Sequence, residues 1–242
     1  MKAHLLLCAG LLALGGCTTY TTPGAGLGLD NLAKADVDIA ELMQAEPAAA
    51  FPARIAIARI QASGYGGRGA NCYGYGEFCV VTARDVETDA SYEKLGKLPE
   101  VAGLAPMSRL LLPQKLTSTK DLRQSAARLR ADLLLVYSLD TRFNVENTDV
   151  GPLALISLGF LPTKKARVAA TASAVVFDVR TGFVYGVAES TSVEEQRGTF
   201  WSSDEAVENA RKKAESDAFV KMVDEVAKVW DDIRATHGVR PL

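Results

Sequence analysis

The sequence predicts an α/β fold: a single mixed sheet with helices packed on it, a β-hairpin near the end and a long C-terminal amphipathic helix. Three observations carry this expectation. A helical pattern at 119–130 runs into the almost continuously apolar stretch 133–139. Two segments rich in Val, Thr, Ala and Phe, 167–179 and 183–194, flank the turn signal Arg180-Thr181-Gly182. Finally, apolar residues recur at spacings of three and four from Val207 to Ile233. Alternating strand and helix patterns before a hairpin and a last helix are the signature of helices layered on a sheet. At 242 residues and 48% hydrophobic content the chain is long enough to bury a real core. Lys+Arg 27 against Asp+Glu 29 leaves a formal charge of −2, so the basic excess that drives binding to phosphate backbones is missing and nucleic acid is not an expected partner.

Each element follows in chain order. Lys2, the apolar residues 5–14 and the small pair Gly15-Gly16 form the n-region, h-region and cleavage site of a secretory signal peptide, residues 1–16, which is excluded from the fold. Residues 17–50 form a tether with a short helix expected at 36–45, ended by Pro47; a flexible segment the length of 18–35 reaches roughly 25 Å. The α/β domain then spans 51–242. Ile55, Ile57 and Ile60 mark a strand, 78–82 a second, and Leu110 to Leu112 the end of a third. The helix at 119–130 takes Ser118 or Thr119 as N-cap and buries a stripe of Leu122, Ala126 and Leu129. Residues 133–139 read as a central strand buried on both faces. The last helix opens on a capping box, Ser202-x-x-Glu205, and its charged face, with Glu208, Lys212, Glu215 and Lys228, is expected to be solvated surface.

Four cysteines divide by position. Leu14-Gly15-Gly16-Cys17 resembles the lipobox of bacterial lipoproteins, which implies that Cys17 is lipidated and becomes the first residue of the mature chain; the bland alternative is an ordinary signal peptide followed by an accidental cysteine. Each buried acyl CH₂ contributes about 0.8 kcal/mol, and more than one chain is needed for stable anchoring. Thr18, rather than Asp, follows Cys17, and resemblance to the sorting pattern of diderm bacteria then implies the outer membrane, facing the periplasm. Cys8 leaves with the signal, so Cys72 and Cys79 are the remaining pair in an oxidising compartment and are expected to form a disulfide that stabilises the fold by roughly 2–3 kcal/mol. A redox pair favours two intervening residues and a zinc site needs four ligands, whereas this spacing has six and the mature chain offers His237 alone.

Among motifs with chemical meaning, Gly64-Tyr65-Gly66-Gly67-Arg68-Gly69 matches G-x-G-x-x-G literally, but Gly/Tyr-rich loop follows where a dinucleotide site needs a helix. The segment reads instead as an excursion pinned by Cys72 and Cys79, with Tyr65, Tyr73 and Tyr75 available either for a partner or for local packing. Asp85, Glu87 and Asp89 alternate like calcium ligands without the glycine turn or the terminal Glu, and read as a solvated acidic loop. No G-x-S-x-G or H-E-x-x-H occurs, so no catalytic residue, metal or cofactor is expected, although a carboxylate pair would leave no fixed spacing. The apolar run 152–161, followed by Lys164, Lys165 and Arg167, fits either a membrane surface or a buried edge, and is too short to cross a bilayer as a helix.

The passage Ala126-Ala127-Arg128-Leu129-Arg130-Ala131-Asp132-Leu133-Leu134-Leu135-Val136 and the hairpin Phe177-Asp178-Val179-Arg180-Thr181-Gly182-Phe183-Val184 resemble the superfamily of the curli-secretion lipoprotein CsgG, the TolB amino-terminal domain and the lipoprotein activators of penicillin-binding proteins. That resemblance implies a periplasmic sheet-and-helix domain that binds other envelope proteins and carries no active site. Pore-forming members need membrane hairpins, and here only one hairpin is evident, with a tight turn bearing Asp178 and Arg180. The expected function is a membrane-anchored accessory or assembly module without catalysis. The alternatives are a subunit of an oligomeric secretion channel, formed by homo-oligomerisation, and an envelope hydrolase with a carboxylate-based site.

Overall fold

A computed structural model describes residues 43–63, 72–147, 162–199 and 203–238. Nine strands and three α-helices are placed among the described residues: β1 (Ala53–Ala62), β2 (Cys72–Tyr73), β3 (Tyr75–Gly76), β4 (Phe78–Val81), α1 (Asp89–Gly96), β5 (Val101–Pro106), β6 (Lys115–Leu116), α2 (Thr119–Arg128), β7 (Leu133–Asn147), β8 (Pro162–Asp178), β9 (Val184–Thr199) and α3 (Ser203–His237). Seven strands form one mixed sheet in the order β2-β4-β1-β7-β8-β9, with β5 paired to β1 beside β4. β1 runs parallel to β5 and β7, and β7, β8 and β9 run antiparallel in sequence. The α/β class is therefore as the sequence predicts, with helices on both faces of a mixed sheet.

Strand alternation divides the core into two layers. Along β7, Leu133, Leu135, Tyr137 and Leu139 face a cluster that α3 and Leu95 of α1 complete, while Leu134 and Val136 face a second cluster built on Leu122 and Ala126 of α2 with Met107, Leu112 and Leu116. This is why 133–139 reads as almost continuously apolar sequence: both of its faces are covered. α2 starts at the N-cap Ser118, whose capping box is closed by Asp121. α3 lies along β8 and β9, and the contact is made of small residues, Ala170, Ala172 and Ala174 on the sheet against Ala210, Ala214 and Ala218 on the helix. At 1.5 Å per residue its 35 residues span about 50 Å, the same length as the 16-residue β9 beneath it at about 3.3 Å per residue.

Several expectations are corrected. The third strand is not at 110–112, which forms a 3-10 turn, Arg109–Leu111; it is β5, whose Val-Ala-Gly-Leu-Ala-Pro sequence is too weakly patterned to declare itself. β7, β8 and β9 are 15 to 17 residues long, and β7 and β8 pair from Leu133↔Asp178 to Asn147↔Lys164, so the chain has a second long hairpin before the tight one. Polar residues on the outer stretches of these strands hid that length. Most of the helix expected at 36–45, the run 152–161, the 64–69 motif and Ser202 lie outside the described residues.

Candidate functional site

Two arrangements stand out: a pinned surface loop and a buried network of charges. In the loop, Cys72 and Cys79 form the expected disulfide with Cα atoms 5.5 Å apart. β2 pairs antiparallel with β4, and β3 pairs parallel with β6, so the segment is held at both ends of a short excursion. Gly74 and Gly76 sit at φ 92° and 123°, backbone conformations that glycine adopts without strain. The two described tyrosines separate in role. Tyr73 packs partly buried against the second core layer, whereas Tyr75 is 61% exposed. Leu110, on the 3-10 turn that precedes β6, is 86% exposed, so the β3/β6 region carries two large apolar side chains in water. Tyr65 and Cys17 lie outside the described residues.

The network joins β1, the 82–88 loop, β7 and α3. Arg59 donates from Nη1 to Asp85 at 2.9 Å and to Glu87 at 3.2 Å, and its Nη2 lies 3.7 Å from Glu215. Arg211 spans Glu208 through Nε and Nη2 at 3.0 and 2.8 Å, reaches Glu215 at 2.6 Å and meets Asp85 at 3.4 Å. Tyr137 donates to Glu87 at 2.8 Å, and Thr141 donates to the other oxygen of Glu215 at 2.7 Å. Burial raises the Glu215 carboxyl above its usual value against the pull of Arg211 and Arg59. Burial likewise pushes the Tyr137 hydroxyl well up, with the Glu87 charge adding to it. Arg211 is raised, because its carboxylate partners outweigh the cost of burying it.

Glu208, Glu215, Asp85 and Glu87 were expected on solvated surface; the structure places Glu208 and Glu215 inside the α3 contact, and the side chains of Asp85 and Glu87 are 12% and 1% exposed. Only Asp89 of the acidic triplet is solvated; it begins α1 and pairs with Arg84 at 3.0 Å. The physical reason is that two buried arginines, Arg59 and Arg211, need counter-charges, and these four carboxylates supply them. Both arginines went unremarked in the sequence. The available signals were an arginine inside the apolar run Ile57-Ala58-Arg59-Ile60, and Glu208-Arg211-Glu215 at spacings of three and four on one helix face.

Beside the network lies a shallow cleft of about 490 Å³, lined by Arg84, Asp85, Glu87, Lys212, Lys213 and Asp217 among others. No group of three or more His, Cys, Asp or Glu among the described residues is arranged to hold a metal ion. The Glu215 oxygens are both engaged by neighbours, so its raised carboxyl serves packing and has no oxygen aimed at a ligand. No described helix is long and apolar enough to cross a membrane.

No protein-family model and no curated protein matches the chain. Among solved structures the chain is similar to a DUF330 protein from Xanthomonas campestris at 13% identity and TM-score 0.37, covering 77% of this chain and 92% of that one. It is also similar to a neuraminyllactose-binding hemagglutinin homolog from Helicobacter pylori at 10% identity and TM-score 0.39, covering 79% and 95%. A third is a hypothetical protein from Chlamydia trachomatis at 12% identity and TM-score 0.21, covering 76% and 94%. At these scores the likenesses carry no argument about what the chain does.

Proposed function

We propose that the protein is an envelope lipoprotein, anchored to the outer membrane through acylated Cys17, whose periplasmic domain serves as an accessory or assembly module for other envelope proteins and performs no catalysis. The observation that supports this reading best is the presentation of Tyr75 and Leu110. Both are large, both are exposed, and both stand on fixed backbone: Tyr75 in the segment held by the Cys72–Cys79 disulfide and the β3/β6 pairing, Leu110 on a 3-10 turn capped by Ser108 and held to α2 through the Leu111 carbonyl. Exposed apolar groups on a rigid frame suit a protein partner, because little ordering entropy is lost on binding. Tethering adds to this by raising the effective concentration of the domain near a membrane-bound partner.

The test is photocrosslinking in cells from positions 75 and 110, in the native chain and in Cys17→Ser. The reading expects a discrete envelope-protein adduct from both positions that weakens when the anchor is removed. Absence of any adduct, or identical adducts and function without the anchor, would overturn it.

A subunit of an oligomeric channel is the second reading, and one observation favours it: β7–β8 and β8–β9 form two consecutive hairpins of 15 to 17 residues per strand, longer than the roughly 9–11 a membrane-crossing strand needs. Against it, the described apolar face of β8 is already covered by α3. Light scattering of the acylated protein in mild detergent separates the two, since a discrete ring-sized mass belongs only to the channel.

A further inference from the structure

We infer that the α2 side of the sheet end at which the tether enters is a basic surface that lies against anionic lipid headgroups, setting the domain at a fixed orientation on the membrane; this rests on the anchored-lipoprotein reading for its biological setting. The entry point is defined by hydrogen bonds. Ala48 N–H donates to Asp178 at 2.7 Å, Ala49 N–H to the Tyr185 hydroxyl at 3.2 Å, and Phe51 packs at a tilt against Trp230 with centroids 5.8 Å apart. The chain arriving from Cys17 is thus fastened to the β8–β9 turn before β1 begins.

Around that turn the topology gathers five arginines. Asp132 N–H donates to the Arg54 carbonyl, Val179 N–H donates to the Asp132 carbonyl, and Arg123 Nη1 donates to the carbonyls of Val179 and Arg180 at 3.3 and 3.2 Å. These contacts put Arg54, Arg123 and Arg180 at one end of the sheet, together with Arg128 and Arg130 at the C-terminal end of α2, two to four residues before Asp132. Arg54, Arg128, Arg130 and Arg180 are exposed, and none of the five forms an ion pair among the described residues. Glu46, Asp132 and Asp178 are the carboxylates on the α2 side of this end, and Asp178 is buried beneath the turn, where its charge acts on Arg123. Glu100, Asp231 and Asp232 lie at the same end on the α3 side, where Arg234 pairs with Glu100 and Asp231, so positive charge dominates only the α2 side of the end. Arg130 also occupies a left-handed position, φ 55°, just past the helix end, where glycine is the unstrained choice. That site carries a cation at some conformational cost.

An unpaired cluster of arginines at the point where a membrane tether joins the body matches the charge of an anionic bilayer surface. A basic residue near such a surface favours binding by roughly fivefold, and the effect fades within about 10 Å at moderate salt. The occupant is therefore lipid close to the anchor rather than a distant partner. With this end seated, β7, β8 and β9 and the length of α3 rise away from the membrane.

The experiment uses the mature chain with Cys17→Ser, which has no acyl chains, and vesicles of phosphatidylcholine alone or with phosphatidylglycerol. The expected result is binding to the anionic vesicles that high salt abolishes, and a loss of roughly a hundredfold in R54A/R130A/R180A. K212A/K213A/K221A removes as much charge from α3 away from the entry point and is expected to bind nearly as well as the parent; matching unfolding midpoints confirm that both variants fold. Equal binding to both vesicle types, or equal loss in both triple variants, overturns the proposal. Mass analysis of Cys17 in the native protein is read separately. Missing acylation with intact anionic binding sinks the lipoprotein reading and leaves the basic surface standing, and the converse result does the opposite.

Discussion

Arg59 on β1 and Arg211 on α3 grip the two oxygens of one carboxylate, Asp85, at 2.9 and 3.4 Å, and both also reach Glu215. Two elements from opposite ends of the chain are thereby joined through a loop that belongs to neither. The arrangement helps fix where the first half of α3 sits on the sheet, where most of its other contacts are alanines, with Phe219 packed on Tyr137 beyond them.

Removing one cation from this network is expected to cost far more than removing a surface charge. Arg211→Met leaves Glu208, Glu215 and Asp85 without their shared partner inside the fold, and breaking a buried pair in this way costs about 3–5 kcal/mol. Lys212→Ala, one residue on, removes a half-exposed ammonium 3.9 Å from Glu208 and is expected to cost under about 0.5 kcal/mol. Urea denaturation of the two variants checks the contrast, and similar midpoints would show that the network does not hold α3.

Acid should act through Asp178. Burial by itself raises this carboxyl, but amide hydrogen bonds from Ala48, Thr181 and Arg180 and the Tyr185 hydroxyl outweigh it and hold the group below its usual value. A native pKa below the unfolded one gives stability that is complete above the unfolded value, about 3.9, and is lost as pH falls through the native value. Asp178→Asn is expected to cost about 1–3 kcal/mol at neutral pH, with the gap to wild type closing in acid. Glu215 works with the opposite sign: its native pKa is raised, so its protonation favours the fold as pH falls through that value. Stability measured across pH in Asp178→Asn and Glu215→Gln separates the two limbs, and a gap for Asp178→Asn that is constant with pH would show that its carboxylate charge is not what matters.

The close seat of α3 on β9 rests on Gly186. A Cβ at this position would stand 2.5 Å from Val229 Cγ1, a stiff β-branched side chain with little room to move. Gly186→Ala is expected to destabilise by about 1–3 kcal/mol through overpacking, and Val229→Ala to restore part of that loss in the double variant. Additive effects in the cycle would place the strain elsewhere.

Reduction should weaken the β2–β4 end of the sheet more than the rest. Cys72 and Cys79 close a loop of eight residues, for which the chain-entropy relation gives about 2–3 kcal/mol. A Cys72→Ser/Cys79→Ser variant is expected to lose that amount while keeping its remaining fold, read as an early local increase in amide exchange at 78–81. An unchanged denaturation midpoint would mean that the reduced chain stays equally restrained.

Sequence patterning revealed the parts of this fold that are governed by local periodicity. Leu122 and Ala126 on α2, the run 133–139, and the series from Val207 to Ile233 bury as their spacing requires, apart from Leu129 and Val229, which are partly buried. The disulfide was legible from the cysteine count and the spacing of Cys72 and Cys79 once a secretory signal is expected. β5 stayed hidden because its side chains are small and only partly buried, and the outer stretches of β7 and β8 because one face carries Asp140, Arg142 and Asn144 in water. The charge network was illegible for a different reason: Arg59, Asp85 and Glu215 are brought together by the fold, and a charged residue on a helix or loop looks solvated until its partner is known. Tyr73 and Tyr75 show the same limit, since a single residue, Gly74, separates them but only tertiary packing decides that one is covered and the other is not.

The exposed pair offers the sharpest functional prediction, because stability and partner binding should separate there. Tyr75→Ser and Leu110→Ser each replace a side chain already mostly in water, so little buried apolar area is lost and the expected stability change is under about 0.5 kcal/mol. An interface that uses these side chains as anchors would lose about 2 kcal/mol or more per anchor, which is more than tenfold in affinity. The doubly substituted protein should therefore fold, reach the membrane and retain its disulfide, yet lose its crosslinked envelope partner. Unaltered crosslinking in that variant would move the contact away from the β3/β6 region, with the exposed edge of β9, bearing Val184, Val187 and Val193, as the next surface to substitute.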